Sequence, residues 1–337
     1  MKSNLVAPTS VARLDYVDAA KGFALLCVML GHTEGGGLVT YIDNMLLPVF
    51  WIAAGYTSRP DFRLSSRFRS LIIPYFIMSA VCLLFTSLFS PDVSMWRALA
   101  GVFYSRFMVF ADSANDCRLM VADNSVLWFL TSMFTAYCLF RLLLMVRMTW
   151  LRLTAGAACV AAGFLYPLIP VLLPWSVDTA FFIAPLMLAG HELRRSGLIA
   201  GHSWMSLIIC VAGYVICNLL AGPTNYSIRD MGAAYPASFG CALFGGTAAL
   251  LFFRKAACSH VNRAFAYINA KALYIFGLQL LFIECGARLG ARFHLSEWPT
   301  VLFQMLLAVV GGYVAGVFST RFIDAFSSVR TRLRSGI

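Results

Sequence analysis

A histidine lies at the end of the first long apolar segment of this 337-residue chain. The segment begins with Asp18 and Lys21, continues through residues 23–30 and ends at His32. A titratable imidazole at the end of a membrane-spanning helix is costly to keep unless it is used, and an imidazole exchanges protons near neutral pH. The sequence therefore predicts that His32 is a catalytic group, although a neutral histidine bonded to a neighbouring helix fits the same pattern.

Helix geometry relates His32 to the charged residues before it. Lys21 precedes His32 by eleven positions, which places the two within about 20° of each other around a helix axis and about 16 Å apart along it. Asp18, three residues before Lys21, lies on the same side of the helix. One face thus carries charge at one end and an imidazole at the other, although Asp18 and Lys21 also fit a simple ion pair at a helix entrance.

Further charged residues flank the first two apolar segments. Glu34 follows His32 by two residues and either orients the imidazole, as a carboxylate does in catalytic pairs, or faces water. The connection 58–70 contains four arginines: Arg59, Arg63, Arg67 and Arg69. They fit either the charge bias of a cytoplasmic loop or the binding of a phosphorylated ligand. For phosphate binding, Arg67 and Arg69 are the candidates, because they lie nearest to the membrane.

The composition places these residues in a polytopic membrane protein. Hydrophobic residues make up 60% of the chain and charged residues only 12%, and the mean hydropathy is +0.78. Windows of about 17 to 25 apolar residues predict an all-α bundle of about ten transmembrane helices. They lie near residues 19–33, 38–57, 71–90, 125–146, 152–173, 178–191, 204–221, 235–253, 268–286 and 299–320.

Basic residues predict the orientation of the bundle. The net charge of +11 is concentrated in the connections that lie inside if the N-terminus does, so both termini are predicted to be cytoplasmic. Anionic lipid accounts for this charge without any nucleic acid. We expect a cytoplasmic segment 1–16, an integral membrane domain 17–321 and a basic cytoplasmic tail 322–337. Because His191-Glu192 is followed by Leu-Arg-Arg, no His-Glu-x-x-His motif is present, and no metal site is predicted.

Five short motifs follow one another along nearly the whole chain. They are Tyr16-Val-Asp18-Ala-Ala-Lys21-Gly22 running to Leu30-Gly31-His32, then Pro48 to Tyr56, Leu71 to Phe76, Leu127 to Leu130, and Phe181 to Gly190. With these motifs the chain resembles the acyltransferase 3 family of integral membrane acyltransferases, and within it a branch similar to fucose 4-O-acetylase.

The resemblance implies a ten-helix bundle that moves an acyl group, usually acetyl, from a cytoplasmic coenzyme A thioester to a sugar hydroxyl. Acetyl-CoA is then a cosubstrate, no cofactor is tightly bound, and the acceptor is a cell-surface polysaccharide or a lipid-linked glycan. Leu46 and Gln279 stand where this branch commonly has histidine. His32 remains as the imidazole predicted to act, as general base on the acceptor hydroxyl.

The two substrates are assigned to opposite sides of the membrane. Lys21, Arg67 and Arg69 are predicted to hold the phosphates of coenzyme A, while its pantetheine arm covers the distance of about 16 Å to His32. The protein is expected in the bacterial inner membrane.

Acceptor contacts are expected from three further side chains and two outer connections. Asp18, Tyr56 and Trp128 are predicted to contact substrate, with core packing as the alternative for the two aromatic residues. The connections 91–124 and 222–234 are expected to select the acceptor, and the aromatic residues of the first also fit a helix lying in the membrane interface.

Two other functional classes fit the same hydropathy. A transporter or flippase for a glycolipid or small polar solute would use His32 and Glu34 as a proton relay. A structural partner in a polysaccharide assembly complex would tolerate replacement of His32.

Overall fold

The computed structural model describes residues 14–89, 92–106, 108–111, 126–201 and 204–335. These residues form twelve α-helices, joined by turns, short 3₁₀ segments and two isolated β-bridges. The helices are α1 (Asp15–Gly31), α2 (Asp43–Thr57), α3 (Leu64–Phe89), α4 (Met95–Tyr104), α5 (Trp128–Met145), α6 (Thr149–Ala162), α7 (Val177–Ser196), α8 (Trp204–Ala221), α9 (Tyr235–Lys255), α10 (Ser259–Asn269), α11 (Ala272–Arg292) and α12 (Glu297–Ser335).

Within the described ranges, seven helices are long and apolar enough to cross a membrane. They are α3, α5, α6 with the 3₁₀ turn that extends it to Leu168, α8, α9, α11 and the first part of α12. This finding confirms an all-helical protein with several membrane spans. The other three predicted spans correspond to α1, α2 and α7, so the count of ten and the position of the termini stay predictions.

Two of the helices that do not meet this requirement, α2 and α7, lie inside the bundle. α2 has 15 residues, a length of about 22 Å that is shorter than the hydrocarbon layer, and α7 carries Asp178 and His191 among its buried residues. In contrast, α3 exposes large apolar side chains such as Ile77 and Leu84, and α8 exposes Leu219. We infer that α3 and α8 face lipid, whereas α2 and α7 form the centre.

Glycines permit the close crossing of the two central helices. A Cβ atom on Gly55 of α2 would overlap the backbone of Met187 in α7, and one on Gly190 of α7 would overlap the backbone of Ile52 in α2. Both glycines belong to the motifs that carry the family resemblance. These two glycines therefore set the packing of α2 against α7.

The last two helices pair along their length. A Cβ atom on Gly312 of α12 would lie 2.5 Å from the Cα atom of Ile275 in α11, so the helices touch at this glycine. The helical backbone of α12 continues to Ser335, through most of the residues assigned to the basic tail. Residues 1–13 of the predicted N-terminal segment lie outside the described residues.

A buried cluster of three charged residues joins the connections at one end of the bundle. Arg106, completely buried, donates hydrogen bonds to Asp178 at the start of α7 and to the carbonyl oxygen of Ser227 at 2.7 Å. Arg229 donates to Oδ2 of Asp178 at 2.9 Å and to backbone carbonyls within residues 166–171. Breaking such a cluster leaves a buried charge uncompensated, at a cost of about 3–5 kcal/mol, so it fixes the connection between α8 and α9.

Candidate functional site

A cavity of about 810 Å³ lies at the C-terminal end of α1, and His32 lines it. The start of α2, the connection 222–228 between α8 and α9, and side chains of α5 and α11 provide the other walls. A volume of this size suits a small organic ligand. The connection 222–228 belongs to the outer segment 222–234 that the sequence pointed to for acceptor selection.

The end of α1 places the imidazole in this cavity. The helix ends at Gly31, and the backbone N–H of His32 donates to the carbonyl oxygen of Met29 at 3.0 Å. The His32 residue is exposed, and it borders the cavity. Its imidazole makes no hydrogen bond with any residue that the structure describes. No described residue therefore occupies either ring nitrogen.

Asn44 of α2 organises one wall of the cavity. Its Nδ2 donates to Oδ1 of Asn218 and to the carbonyl oxygen of Gly222, both at 2.8 Å, and its Oδ1 accepts from the hydroxyl of Thr224 at 2.6 Å. The hydroxyl of Tyr226 donates to the backbone oxygen of Asn44 at 3.0 Å, and burial raises the pKa of Tyr226, which keeps it a donor. Because these groups are occupied, Asn44 holds the wall in place.

Asp43, the first residue of α2, adds a carboxylate to the cavity that sequence reasoning missed. Its side chain makes no hydrogen bond or ion pair with the described residues. Among the described lining residues, His32 and Asp43 are the two with an imidazole or a carboxylate, and none is a lysine or arginine. The only sequence signal is an Asp-Asn pair before an apolar run, which is also the ordinary start of a helix.

Trp128 is brought to the same cavity, as the sequence interpretation allowed. It is the first residue of α5, is 5% exposed and lines the cavity together with Phe276 of α11. Leu46 and Gln279, the two positions that depart from the family pattern, are completely buried and are not among the residues that line it. The amide of Gln279 has no hydrogen-bond partner among the described residues.

Glu34 does not accompany His32 into the cavity. It begins a 3₁₀ turn, Glu34–Val39, and its side chain is exposed. No hydrogen bond joins it to His32, and the structure describes both residues. The orienting role of Glu34 stays a prediction without support from this arrangement, and the alternative that it faces water fits its exposure.

The opposite end of α1 carries Asp18 and Lys21. Nζ of Lys21 lies 3.0 Å from Oδ1 of Asp18, and the same oxygen accepts a hydrogen bond from Asn269 at the end of α10, at 2.8 Å. This arrangement fits the ion-pair alternative. Tyr56 is buried at the same end, where its hydroxyl bonds that of Tyr16 at 2.9 Å. The cavity lining includes neither Asp18 nor Tyr56, so their contact with substrate stays a prediction.

Arg67 and Arg69 differ in their surroundings. The half-buried Arg67 donates to the hydroxyl of Ser58 at 3.3 Å, and its guanidinium lies 4.5 Å from the ring centroid of Tyr137. Arg69 is exposed and lies about 200° around α3 from Arg67. Arg67 therefore belongs to the group of residues near Tyr56, whereas Arg69 points away from it.

Two more arginines meet at this end, although sequence reasoning used them only to assign topology. Arg194 of α7 donates to the carbonyl oxygen of Tyr56 at 3.1 Å, and the guanidinium of Arg254 in α9 lies 5.3 Å from the ring centroid of Tyr16. No described carboxylate pairs with Arg67, Arg194 or Arg254. We call these three residues, together with Lys21, the basic end.

Comparison with known proteins gives one match. The model of the acyltransferase 3 family, described as an acyltransferase domain, matches residues 14–318. No curated protein and no solved structure matches the chain.

Proposed function

The chain belongs to the acyltransferase 3 family, and we propose that this multi-pass membrane acyltransferase moves an acetyl group from acetyl-CoA to a hydroxyl of a glycan or lipid-linked sugar. One observation carries the proposal. An exposed imidazole without a described hydrogen-bond partner lies in a cavity at one end of α1, and arginines without a described carboxylate partner lie near Tyr16 and Tyr56 at the other end.

The basic end suits the donor. Coenzyme A is anionic at its phosphates, and guanidinium groups without carboxylate partners bind phosphate through charge-assisted hydrogen bonds. Arg67, Arg194 and Arg254 would bind these phosphates together with Lys21, and Arg69 is predicted to assist. Helix α1 runs without a break from Asp15 to Gly31, so the basic end lies about 16 Å from His32, a distance that an extended pantetheine arm can cover.

The arm has to pass the packed face of α1. Leu25 lies on this face between Lys21 and Val28, and its side chain is completely buried. We therefore expect Leu25 to move when acetyl-CoA binds. While no acetyl-CoA is bound, Leu25 would close the path of the pantetheine arm and so keep water and protons from crossing the bundle.

His32 would act as general base in one direct transfer. Its imidazole removes the proton of the acceptor hydroxyl while the oxygen attacks the thioester carbonyl, forming the new C–O bond. The C–S bond then breaks, and the imidazolium returns the proton to the leaving thiolate, which gives free coenzyme A and regenerates His32. No covalent enzyme intermediate is needed.

The cavity wall would bind the sugar. The connection 222–228 supplies amide and hydroxyl groups, and Trp128 supplies an aromatic ring of the kind that packs against a sugar. The transport alternative needs a relay between His32 and Glu34, and no hydrogen bond joins these residues. The family match and this arrangement both favour the enzyme.

Mass spectrometry of cell-surface glycans tests the proposal. We would compare cells that carry wild-type protein, a deletion and the His32→Ala variant. The expected result is that one acetyl group is lost from the same glycan in the deletion and in the variant, while the amount of glycan at the surface is unchanged. Loss of the glycan itself would favour transport, and full acetylation by the His32→Ala variant would contradict the proposed base.

A further inference from the structure

The cavity is unusual in the charges that it presents. Of its described lining residues, Asp43 carries the one carboxylate, and none carries an ammonium or guanidinium group. The described part of the lining therefore has a group that accepts hydrogen bonds from hydroxyl or ammonium groups, and it has no lysine or arginine that would neutralise an anionic ligand.

Two buried arginines, Arg106 and Arg229, lie behind the wall and share the carboxylate of Asp178. Arg106 donates to the carbonyl oxygens of Leu173 and Ser227 and to Asp178, and Arg229 donates to Asp178 and to backbone carbonyls. Both side chains are almost completely buried. Their donors are occupied by the protein, so they shape the wall without offering hydrogen bonds to a ligand.

The remaining polar groups of the wall are uncharged. The amide oxygen of Asn218 accepts a hydrogen bond from Asn44, but the Nδ2 of Asn218 donates to no described residue. Thr40 is exposed and adds a hydroxyl. Neutral donors of this kind, one carboxylate acceptor and the ring of Trp128 together match a hydroxyl-rich ring without negative charge.

We propose that the cavity admits a sugar ring that is uncharged or carries an amino group and rejects a ring that carries a carboxylate, and that Asp43 makes this selection. This inference rests on the proposed function and names the acceptor class. The repulsion between Asp43 and an anion about 8 Å away near a protein surface corresponds to up to about 30-fold in affinity, and the buried Arg106 and Arg229 oppose part of it.

Two acceptors that differ only in charge test the inference. The methyl glycoside of glucuronic acid, whose carboxylate is free, and the same glycoside with a primary amide in place of the carboxylate have the same shape, and the galacto pair provides a second ring. Purified protein in lipid nanodiscs would receive radiolabelled acetyl-CoA and each glycoside. We expect kcat/KM to be up to about 30-fold higher for the amide than for the acid, and this ratio to fall below about 3 in Asp43→Asn. Asp43→Lys should reverse the preference.

The control is Glu297→Gln. Glu297 is an exposed carboxylate at the start of α12 and does not line the cavity. This variant should retain the wild-type ratio. Thermal unfolding of each variant checks that the fold is intact.

Each outcome decides a separate question. Equal kcat/KM for acid and amide, or an unchanged ratio in Asp43→Asn, overturns the inference while the acetyl transfer itself stands. Acetyl-CoA hydrolysis that depends on His32, with no transfer to any glycoside, also overturns the inference. If nothing depends on His32, the proposed function fails, and saturation-transfer NMR of the same glycosides without donor still measures the charge preference directly.

Discussion

The two ends of the helix bundle use their polar residues differently. At the cavity end, Asn44, Arg106 and Arg229 donate their hydrogen bonds to other protein groups and hold the wall in place. At the basic end, Arg194 and Arg254 contact a carbonyl oxygen and an aromatic ring, and no described carboxylate neutralises them. Among the described residues, the donors of the first end are occupied by other protein groups, whereas the arginines of the second end have no carboxylate partner.

This difference indicates which ligand each end can take. Unpaired cations favour an anion, because their charge is only partly screened by solvent. A wall whose donors are already occupied would bind a ligand through the few groups that remain, which here are His32, Asp43 and neutral amides. Separation of charge along the bundle would therefore place acetyl-CoA at the basic end and the sugar in the cavity, with His32 where the two substrates meet.

Removing the imidazole should have the largest effect. In His32→Ala we expect acetyl transfer to fall about 10²- to 10⁴-fold, the usual contribution of a general base, with unchanged thermal unfolding. Radiolabelled acetyl transfer in nanodiscs measures this. The control is His294→Asn, because His294 is exposed in the connection between α11 and α12. Undiminished transfer in His32→Ala would favour the structural-partner alternative.

Removing the shared carboxylate of the buried cluster should cost stability. Asp178→Asn leaves two buried guanidinium groups without a counter-charge, so we expect a loss of about 3–5 kcal/mol in the free energy of unfolding. Chemical unfolding in detergent measures it. Asp230→Asn, which changes an exposed carboxylate nearby, should unfold like the wild type. A stable Asp178→Asn protein would mean that the carbonyl groups alone hold Arg106 and Arg229.

Neutralising one arginine of the basic end should change the KM for acetyl-CoA and leave the KM for the sugar acceptor unchanged. In Arg194→Gln and in Arg254→Gln we expect the KM for acetyl-CoA to rise about tenfold, because one charge-assisted hydrogen bond is lost, while the KM for acceptor stays constant. Steady-state kinetics measures both constants. Arg263→Gln, an exposed residue of α10, is the matched control. A rise in the acceptor KM instead would reverse the assignment of the two ends.

The smallest expected effect is a different salt dependence of the KM for acetyl-CoA and the KM for the sugar acceptor. Between about 0.05 and 0.5 M NaCl, screening of the exposed arginines should raise the KM for acetyl-CoA several-fold. The KM for a neutral acceptor should hardly change, because such an acceptor carries no charge that salt could screen. Equal salt dependence of the two constants would argue against the contrast between the ends.

Much of the fold could be predicted because hydropathy and helix period are local properties. The seven helices that meet the length and hydropathy requirement all lie within predicted spans or overlap them. α1, α2 and α7 are also helices, but their membrane crossing stays a prediction. α1 and α2 have only 17 and 15 residues, and α7 carries Asp178 and His191 among its buried residues. Hydropathy does not distinguish a short buried helix from a membrane span.

The candidate site was predictable only in part. His32 and Trp128 were identified, and the structure brings them to one cavity. Asp43 was missed because an acid at the start of a helix is ordinary. Arg194 and Arg254 were missed because a basic residue after an apolar segment also satisfies the topology rule.

The sequence by itself determined that the chain is helical, that it is a membrane protein, and that Lys21 and His32 lie at opposite ends of one helix. These properties follow from single continuous stretches of sequence, because hydropathy and helix period are local. Only the tertiary structure decided which helix ends meet, and so which of the charged residues find partners. A charge is compensated by groups far away in the chain, as Asp178 is by Arg106 and Arg229, and no local pattern records that contact.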